Sequence, residues 1–168
     1  GAPNEFAALL KDDLARWARA MGAKCPITII PNGVDLNKLK VQSEKLKVSA
    51  QNSKVIIHTG RLVKKNGVDI LVEAMRFLPD NIKLQILGDG EEKENLKLKA
   101  KSYHLEARIE FLGHVPPNEV SNYLVQTDVF ARPSRSEGLG NSFLEAMAVG
   151  LPVVGTPVGG IPDFLRQG

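Results

Sequence analysis

Short apolar runs alternate with helical patterns along most of this chain, from Val55 onward. Each apolar run has the length of a strand, and the segment after it carries apolar residues at helical spacing. Alternation of this kind is typical of βαβ units, in which crossover helices join parallel strands. The sequence therefore predicts an α/β fold with a parallel sheet and helices on both of its faces.

The boundaries of these elements follow from the same pattern. The predicted strands are Val55–His58, Leu84–Leu87, Ile109–Leu112, Val129–Ala131 and Val153–Gly155. The predicted helices are Gly67–Leu78, Glu91–Tyr103, Asn118–Gln126 and Asn141–Val149. Ligands of parallel sheets bind at the carboxyl ends of the strands, where turns lead into helices. The turns that follow the strands are therefore the candidate sites.

The start of the chain has a different character. Asn4–Met21 places apolar residues on or near one face and predicts an amphipathic helix, which Gly22 ends. A short strand is predicted at Pro26–Pro31. Because that helix stands apart from the alternation, and no closing element follows the short helix near Ile161, we expect a piece of a larger protein. Residues 1–30 would then be a remnant of an N-terminal domain or an inter-domain helix.

Composition narrows the class of protein. With 168 residues and 43% hydrophobic content, the chain is expected to form one domain with a core. The net charge of +3 is a small excess, and no Arg-rich or aromatic-interleaved stretch indicates a nucleic-acid surface. Cys25 is the only cysteine, so no internal disulfide can form, and no apolar run is long enough to span a bilayer. We expect a cytoplasmic protein that binds an anionic small molecule.

The most informative stretch is the polar turn Ser134–Gly140 and the helix after it. Turn amides and a helix N-terminus both attract an anion, and Asn141 or Ser142 is expected to cap the helix. Glutamates stand at both ends of the stretch, Glu137 in the turn and Glu145 in the helix. The stretch therefore predicts a site for a ligand that carries negative charge.

The spacing of the two glutamates limits the chemistry. Glu137 and Glu145 are eight residues apart, a step that would rise about 12 Å in a full helix. The acid pair of a glycosidase stands about 5–9.5 Å apart, so the spacing disfavours that class, although the glycine turn could shorten the span. A ligand with two polyols joined by a charged bridge fits better. We predict a nucleotide sugar, with the sugar near Glu137 and the ribose near Glu145.

A basic turn follows the first predicted strand, in Gly60-Arg61-Leu62-Val63-Lys64-Lys65-Asn66-Gly67. Arginine makes paired contacts with phosphate, and lysine supplies a compact positive charge. The turn lies at the carboxyl end of a strand, on the side expected for the Glu137 turn. We predict Arg61 first and Lys65 second as phosphate ligands. Of the three histidines only His114 falls in a candidate ligand loop, and none has the spacing of a metal ligand.

An ordered series of motifs resembles one known family. The series is Ile30–Asp35 (IPNGVD), Gly60–Val63 (GRLV), Leu84–Gly90 (LQILGDG), Ile109–His114 (IEFLGH), Pro133-Ser134 before the two glutamates, Glu145–Ala148 (EAMA), Gly150–Val154 (GLPVV) and Gly159–Pro162 (GGIP). Together they resemble the retaining glycosyltransferases of family 4, which have the two-domain GT-B fold. The resemblance runs from about Pro31 to the end of the chain. It implies that the chain is a Rossmann-like half of a GT-B fold.

The resemblance also implies roles for individual residues. The diphosphate would be held by Arg61 and a nearby lysine, Lys65 or Lys64, and Arg61, Lys65 and Glu137 would be catalytic. Glu137 would contact the donor sugar, together with the backbone amides of Gly138, Leu139, Gly140 and Asn141. Glu145 would bind the ribose hydroxyls, and the His114-Val115 loop would face the base. This chain departs from the family at Asn66, where the family usually has lysine before the glycine.

The implied function is sugar transfer from a nucleotide-diphosphate sugar to an acceptor. Residues 31–168 would be the nucleotide-sugar-binding C-terminal domain, truncated at its end, and the partner would be the missing N-terminal acceptor-binding domain. Transfer would retain configuration and need no metal or other cofactor, and the isolated chain would be inactive. No nucleic-acid partner is expected, and peripheral membrane association of the full-length protein is left open. The donor sugar, base, acceptor and oligomeric state are not indicated.

Three other classes of protein remain as alternatives. A non-catalytic nucleotide-binding module would keep the glycine-rich turns but would have no use for the pair of glutamates. A GT-B sugar-nucleotide epimerase fits Glu137 less well. A structural or interaction domain would leave the basic turn solvated. Binding of UDP, GDP or ADP would separate these classes.

Overall fold

A computed structural model of the chain describes residues 6–8, 19–20, 27–29, 53–138 and 140–165. Two short strands come first, β1 (Phe6–Ala8) and β2 (Ile27–Ile29). The later strands are β3 (Lys54–Thr59), β4 (Ile82–Leu87), β5 (Ile109–Gly113), β6 (Val129–Arg132) and β7 (Val153–Gly155). The helices are α1 (Val68–Ala74), α2 (Lys93–Ser102), α3 (Val120–Leu124) and α4 (Asn141–Ala148). Short 3-10 helices lie at Lys64–Asn66, Met75–Phe77 and Ile161–Asp163.

Strands β3 to β7 form one five-stranded sheet in the order β5-β4-β3-β6-β7. Each pair of neighbours is parallel. The chain runs outward from β3 to β5 and then returns to place β6 on the other side of β3. The strand order therefore reverses between β3 and β6, and such a switch point is where open α/β sheets bind ligands. The predicted parallel α/β sheet is confirmed.

Two hydrophobic clusters cover the two faces of this sheet. One cluster packs α1 and α2 against β4, with Val72 and Leu84 fully buried in it. The other packs α3 and α4 against β3 and β6, around Ile57, Phe130 and Phe143. Phe130 and Phe143 meet edge to face, with ring centroids 5.2 Å apart. Helices therefore lie on both faces, as the sequence predicts.

The helix after β6 begins differently from the prediction. Its N-cap is Gly140, which has φ 68° and ψ 74° and makes no side-chain cap hydrogen bond. The prediction that Asn141 or Ser142 caps this helix is therefore wrong. Glycine adopts this left-handed conformation without steric cost, and the Ser142 hydroxyl instead accepts a hydrogen bond from Arg132. That contact turns the first residues of α4 toward the end of β6.

The start of the chain corrects a second prediction. Phe6–Ala8 is a strand that pairs in parallel with Ile27–Ile29, so the predicted helix Asn4–Met21 is wrong at these residues. A run as short as Phe-Ala-Ala fits both the hydrophobic period of a helix and that of a strand. Its pairing with a distant strand therefore decides its conformation. Arg19 and Ala20 are helical, and both are exposed. The rest of that helix lies outside the described residues, as does the IPNGVD motif.

Within the described ranges, no helix is long and apolar enough to cross a membrane.

Candidate functional site

An open cleft of about 380 Å³ lies at the carboxyl edge of the sheet. Its walls come from the ends of β3, β4 and β6, from the loop after β5 and from the first turn and a half of α4. This volume falls within the range of ordinary small-molecule sites. The lining residues with the most evident chemistry are Gly60, Arg61, His114, Arg132, Ser142 and Glu145.

The floor of the cleft is a close crossing of backbone. Gly88 has φ 142°, and a Cβ placed there would overlap the Gly60 carbonyl oxygen. The Gly60 amide donates to Leu87 O at 3.0 Å, and the Gly88 amide donates to Gly113 O at 2.7 Å. These bonds extend the sheet beyond its last regular pairs. A ligand in the cleft can therefore approach main chain rather than side chains at this point.

Arg132, the last residue of β6, lies at the centre of the polar wall. One terminal nitrogen, Nη2, lies 2.6 Å from Glu137 Oε2 and donates to Asn66 Oδ1 at 3.0 Å. The other, Nη1, donates to Ser142 Oγ at 2.6 Å. Burial lowers the pKa of Arg132, whereas the nearby Glu137 and Glu145 carboxylates raise it. Arg132 therefore joins the basic turn, the Glu137 turn and the start of α4.

Asn66 connects the two arginines of the cleft. Its side chain is buried, and its Nδ2 donates to the Arg61 carbonyl oxygen at 2.6 Å. Its Oδ1 accepts from Arg132 at 3.0 Å. A neutral amide can serve both partners because it carries a donor and an acceptor, which a lysine does not. Asn66 thus holds the basic turn against the end of β6.

The turn that carries Glu137 is held from both sides. Glu137 Oε1 accepts from the Gly138 amide at 3.1 Å, and Oε2 accepts from the Ser134 hydroxyl at 3.5 Å. The Gly160 amide donates to Gly138 O at 2.9 Å. A Cβ at Gly159 would overlap the Glu137 carbonyl oxygen, so this crossing requires glycine. The Gly159-Gly160 turn therefore supports the Glu137 turn through its backbone.

Arg135 braces the outer side of the same turn. It makes a two-pronged contact with Asp69, at 2.7 Å for each oxygen, and donates to Lys64 O at 2.8 Å. Its amide donates to Lys65 O at 2.7 Å. These bonds fix the backbone of the lysine turn and leave the Lys64 and Lys65 side chains exposed.

Glu145 and Ser142 lie one helical turn apart on α4 and both line the cleft. Partial burial raises the pKa of the Glu145 carboxyl, and Arg132 opposes this shift. A half-buried carboxylate of this kind gains from hydroxyl donors that a ligand brings. The geometry therefore suits recognition of a polyol beside an anion.

His58 adds a buried titratable group next to the cleft. It precedes the lining residue Thr59, and its Nδ1 lies 3.2 Å from Ala131 O. Its Nε2 and the Thr59 hydroxyl have no hydrogen-bond partner within the described part of the chain. Burial, and then the charge of Arg132, lower the pKa of His58 to about 4. His58 is therefore neutral at physiological pH.

Residues 40–168 match the family described as Glycosyl transferases group 1. The chain belongs to this family. It is 36% identical over 156 residues to the lipopolysaccharide core biosynthesis glycosyltransferase LpsE of Rhizobium meliloti, a match that covers 92% of this chain and 45% of LpsE. It is 30% identical over 170 residues to the GDP-mannose-dependent alpha-(1-6)-phosphatidylinositol monomannoside mannosyltransferase of Mycolicibacterium smegmatis, covering 92% of this chain and 44% of that protein.

The fold of this group 1 glycosyltransferase domain matches a crystal structure of Anabaena Alr3699/HepE in complex with UDP and glucose. The TM-score is 0.85 at 26% sequence identity, and the match covers 96% of this chain and 47% of HepE. This match confirms the predicted fold class, a Rossmann-like half of a GT-B fold. The chain spans a little under half the length of each of these three proteins.

The glycosyltransferase domain brings several predicted site residues into one place. Arg61, Glu145, His114 and Val115 all line the cleft. Glu137 lies behind Arg132, with its side chain 11% exposed. The predicted residues Gly138, Gly140 and Asn141 lie in the turn and at the start of α4, whereas Lys65 is exposed outside the lining and Leu139 lies outside the described residues.

Sequence reasoning missed Arg132 and the cleft role of Ser142. The signal for Arg132 was available, because it is a cation at the carboxyl end of a strand, the criterion that selects Arg61. The predicted strand ended one residue too early, at Ala131, and left Arg132 unassigned. Within the described residues, no group of three or more His, Cys, Asp or Glu side chains is placed to hold a metal ion.

Proposed function

We propose that this chain is the donor-binding half of a retaining glycosyltransferase, which moves a sugar from a nucleotide-diphosphate sugar to an acceptor. The proposal rests on one observation above all. The cleft at the switch point combines two arginines, close-packed glycine backbone and a half-buried glutamate on α4. Cations and amides suit a diphosphate, and the glutamate suits the hydroxyls of a ribose.

The lining residues suggest one direction for the donor along the cleft. The base would lie near His114 and Val115, where Val120 adds apolar surface. The ribose would contact Glu145, and the diphosphate would lie over Gly60 and Arg61. The sugar would then reach the Glu137 turn and the amides from Gly138 to Asn141. The HepE structure contains UDP and glucose, which supports a nucleotide sugar as the ligand of this cleft.

The proposed chemistry is charge stabilisation of the leaving diphosphate. As the glycosidic bond breaks, negative charge grows on the bridging oxygen, and fixed cations nearby lower the barrier. We assign this role to Arg61, to backbone amides and to Lys65, which is exposed at the edge of the basic turn. Transfer would proceed with retention and without a metal.

The whole protein would supply what this half does not. We assign residues 31–168 to the nucleotide-sugar-binding C-terminal domain and 1–30 to the N-terminal domain or the inter-domain segment. Transfer needs an acceptor held in line with the donor in a closed cleft, and proximity is among the largest rate terms. We therefore propose a cytoplasmic enzyme whose N-terminal domain binds the acceptor. Peripheral membrane association is an open part of this proposal.

Nucleotide binding by the chain tests the donor site. Calorimetric titration with UDP, GDP and ADP should show binding of at least one diphosphate, and Arg61→Ala should weaken it by about 1.5–3 kcal/mol. Binding of the matching nucleoside should barely change. Arg76→Ala, which removes an exposed arginine in the 3-10 helix Met75–Phe77, is the control for loss of one positive charge. If none of the three diphosphates binds the unsubstituted chain, the proposal fails.

A transfer assay separates the half-enzyme from a non-catalytic module. The chain alone should release no nucleotide diphosphate from candidate donors when acceptors are present. Joining it to an N-terminal domain of a relative should restore release, and Glu137→Ala or Glu145→Ala should then reduce it severely. Acceptor-dependent turnover by these 168 residues alone would contradict the half-enzyme assignment.

A further inference from the structure

We propose that Arg132 is a diphosphate-binding residue, the inner cation of the cleft, which works beside Arg61. This inference rests on the donor site proposed above and names a residue that the motifs of the sequence do not assign. Arg132 lines the cleft itself, and its Nη1 lies 3.4 Å from the position that a Cβ at Gly60 would take. The guanidinium therefore lies against the glycine backbone over which the diphosphate would pass.

Arg132 has donors to spare. A guanidinium carries five N–H donors, and the bonds to Glu137, Asn66 and Ser142 use three of them. Its Nε is buried and has no hydrogen-bond partner within the described residues. The bonds to Glu137, Asn66 and Ser142 use both hydrogens of Nη2 and one hydrogen of Nη1. The second hydrogen of Nη1, the nitrogen that lies against Gly60, is therefore the donor that a phosphate oxygen in the cleft can accept from, and such a charge-assisted bond is strong.

The charges around the cleft require a second cation. Asp89 lines the cleft but is paired with Lys93 at 2.6 Å. Glu145 lines it and has no ion-pair partner among the described residues, and Glu137 lies just behind the wall. Both carboxylates repel an incoming diphosphate, and the repulsion is strong where solvent is partly excluded. Arg132 lies between these two carboxylates and offsets both.

The lysines of the basic turn are poorly placed for this inner position. Lys64 and Lys65 are exposed, and neither belongs to the cleft lining. Asn66 is buried but neutral, and its side chain is committed to Arg61 O and Arg132. The amide thereby holds the guanidinium of Arg132 close to the basic turn. We infer that Asn66 and Arg132 act as one unit, in which Asn66 positions and Arg132 binds.

Three ligands that differ in their number of phosphates test the assignment on the 168-residue chain. The probes are the nucleoside, the monophosphate and the diphosphate of whichever base, uracil, guanine or adenine, the unsubstituted chain binds. Arg132→Met keeps an unbranched apolar stem and removes the guanidinium with its charge. It should weaken diphosphate binding by about 10- to 100-fold, weaken the monophosphate less and leave the nucleoside within about twofold. Arg76→Met, far from the cleft, should change none of the three.

Two further variants exclude a purely structural effect. Removing Arg132 leaves Glu137 without its ion-pair partner, so the single variant is compared with Arg132→Met combined with Glu137→Gln. A structural role predicts that the double variant recovers the diphosphate affinity of Glu137→Gln alone, because Glu137 no longer leaves an unpaired buried charge. A phosphate-binding role predicts that the double variant still binds the diphosphate about 10-fold or more weakly than Glu137→Gln alone, a comparison in which the charge at position 137 is the same. Arg132→Lys, which keeps one charge but not the fork, should recover part of the loss.

The outcomes distinguish this inference from the proposed function. If the unsubstituted chain binds a diphosphate and folded Arg132→Met, checked by circular dichroism, binds it equally well, Arg132 is not a phosphate ligand and the donor site stands on Arg61. Recovery in the double variant to the diphosphate affinity of Glu137→Gln alone would also overturn the inference. If the unsubstituted chain binds none of UDP, GDP and ADP, both the donor site and the role of Arg132 fail. A loss that grows with the number of phosphates supports both.

Discussion

Two arginines three residues apart make ion pairs of almost the same length in different surroundings. Arg132 lies 2.6 Å from Glu137 on the cleft side of the turn, and both side chains are 11% exposed. Arg135 lies 2.7 Å from Asp69 on the outer side, where the side chains are 45% and 35% exposed. Distance alone would rank the two pairs as equals. Their exposure to solvent makes them different.

The pKa values of the two arginines move in opposite directions for this reason. The hydrogen bond with Asp69 raises the pKa of Arg135. Burial opposes this rise only weakly, because water still solvates the guanidinium. Burial lowers the pKa of Arg132, although Glu137 and Glu145 oppose the shift. Water and salt screen the exposed pair of Arg135 and Asp69, so this pair contributes little to stability. The pair of Arg132 and Glu137 is poorly solvated, so removal of either side chain leaves the other charge uncompensated. The outer pair therefore braces the turn, and the inner arginine is available to a ligand as a poorly solvated cation.

The largest difference should appear in stability. Arg132→Met leaves Glu137 partly buried without its cation and should lower the free energy of unfolding by about 3 kcal/mol. Arg135→Met removes an exposed pair and should cost about 1 kcal/mol or less. Urea unfolding of both variants measures the contrast. Combining Arg132→Met with Glu137→Gln should recover most of the loss. Equal losses for the two single variants would show that exposure does not separate the pairs.

The same contrast explains what could be predicted from the sequence. All five strands of the main sheet were found to within a few residues, because each is a short apolar run with turn signals on both sides. Arg61, His114, Val115 and Glu145 meet in one cleft because the carboxyl ends of parallel strands share one edge. The hydrophobic period is sufficient to predict the five strands. The topology of a parallel sheet is sufficient to predict that these four residues lie at one edge of it.

What the sequence could not show depends on contacts between distant residues. The position of Arg132 is set by Asn66, 66 residues earlier, and by Ser142 on the next helix. The exposure of Lys65 depends on Arg135 holding its backbone. At the start of the chain, Phe6–Ala8 becomes a strand through its pairing with Ile27–Ile29. The number of cations in a turn therefore predicts a phosphate site, but it does not show which cation lies in the cleft.

His58 tests the buried region through pH. Its pKa is lowered from 6.5 to about 4, so the unfolded chain binds a proton on His58 more tightly than the folded one. The stabilising contribution is complete above pH 6.5 and is lost as the pH falls toward 4, by a total on the order of 3 kcal/mol. Urea unfolding of the unsubstituted chain and of His58→Asn across this range measures it. The difference between the two curves should narrow as the pH falls.

A difference curve that stays flat between pH 6.5 and 4 would mean that His58 is protonated equally in both states. Burial beside Arg132 would then not lower the pKa of the imidazole, and the poor solvation assigned to the surroundings of Arg132 would be wrong. Arg135→Met is the exposed comparison: the hydrogen bond from Arg135 lowers the pKa of Asp69 from its ordinary value of 3.8, so the contribution of this pair begins to be lost only below the window assigned to His58.

The exposed lysine gives a smaller effect and extends the contrast to binding. Lys65→Ala should weaken diphosphate binding by about two- to fivefold, since an exposed charge contributes about 0.5–1 kcal/mol. Arg61→Ala should cost more, because Arg61 lines the cleft. Raising the salt concentration should remove most of the Lys65 effect. A loss for Lys65→Ala as large as that for Arg61→Ala would show that the lysine moves into the site when the ligand binds.

Substitution of Glu145 should have the smallest effect on stability. The direction of that effect separates burial of the carboxyl from its attraction to Arg132. Partial burial raises the pKa of its carboxyl, so at neutral pH the ionised group is less favourable in the folded chain than in the unfolded one. Glu145→Gln should therefore raise the stability slightly at pH 7, and the gain should disappear as the pH falls and Glu145 becomes protonated. The same variant should bind the nucleoside more weakly, because an amide is a poorer acceptor for ribose hydroxyls. Destabilisation at pH 7 would instead mean that attraction from Arg132 outweighs burial, and that the inner arginine is shared between both glutamates.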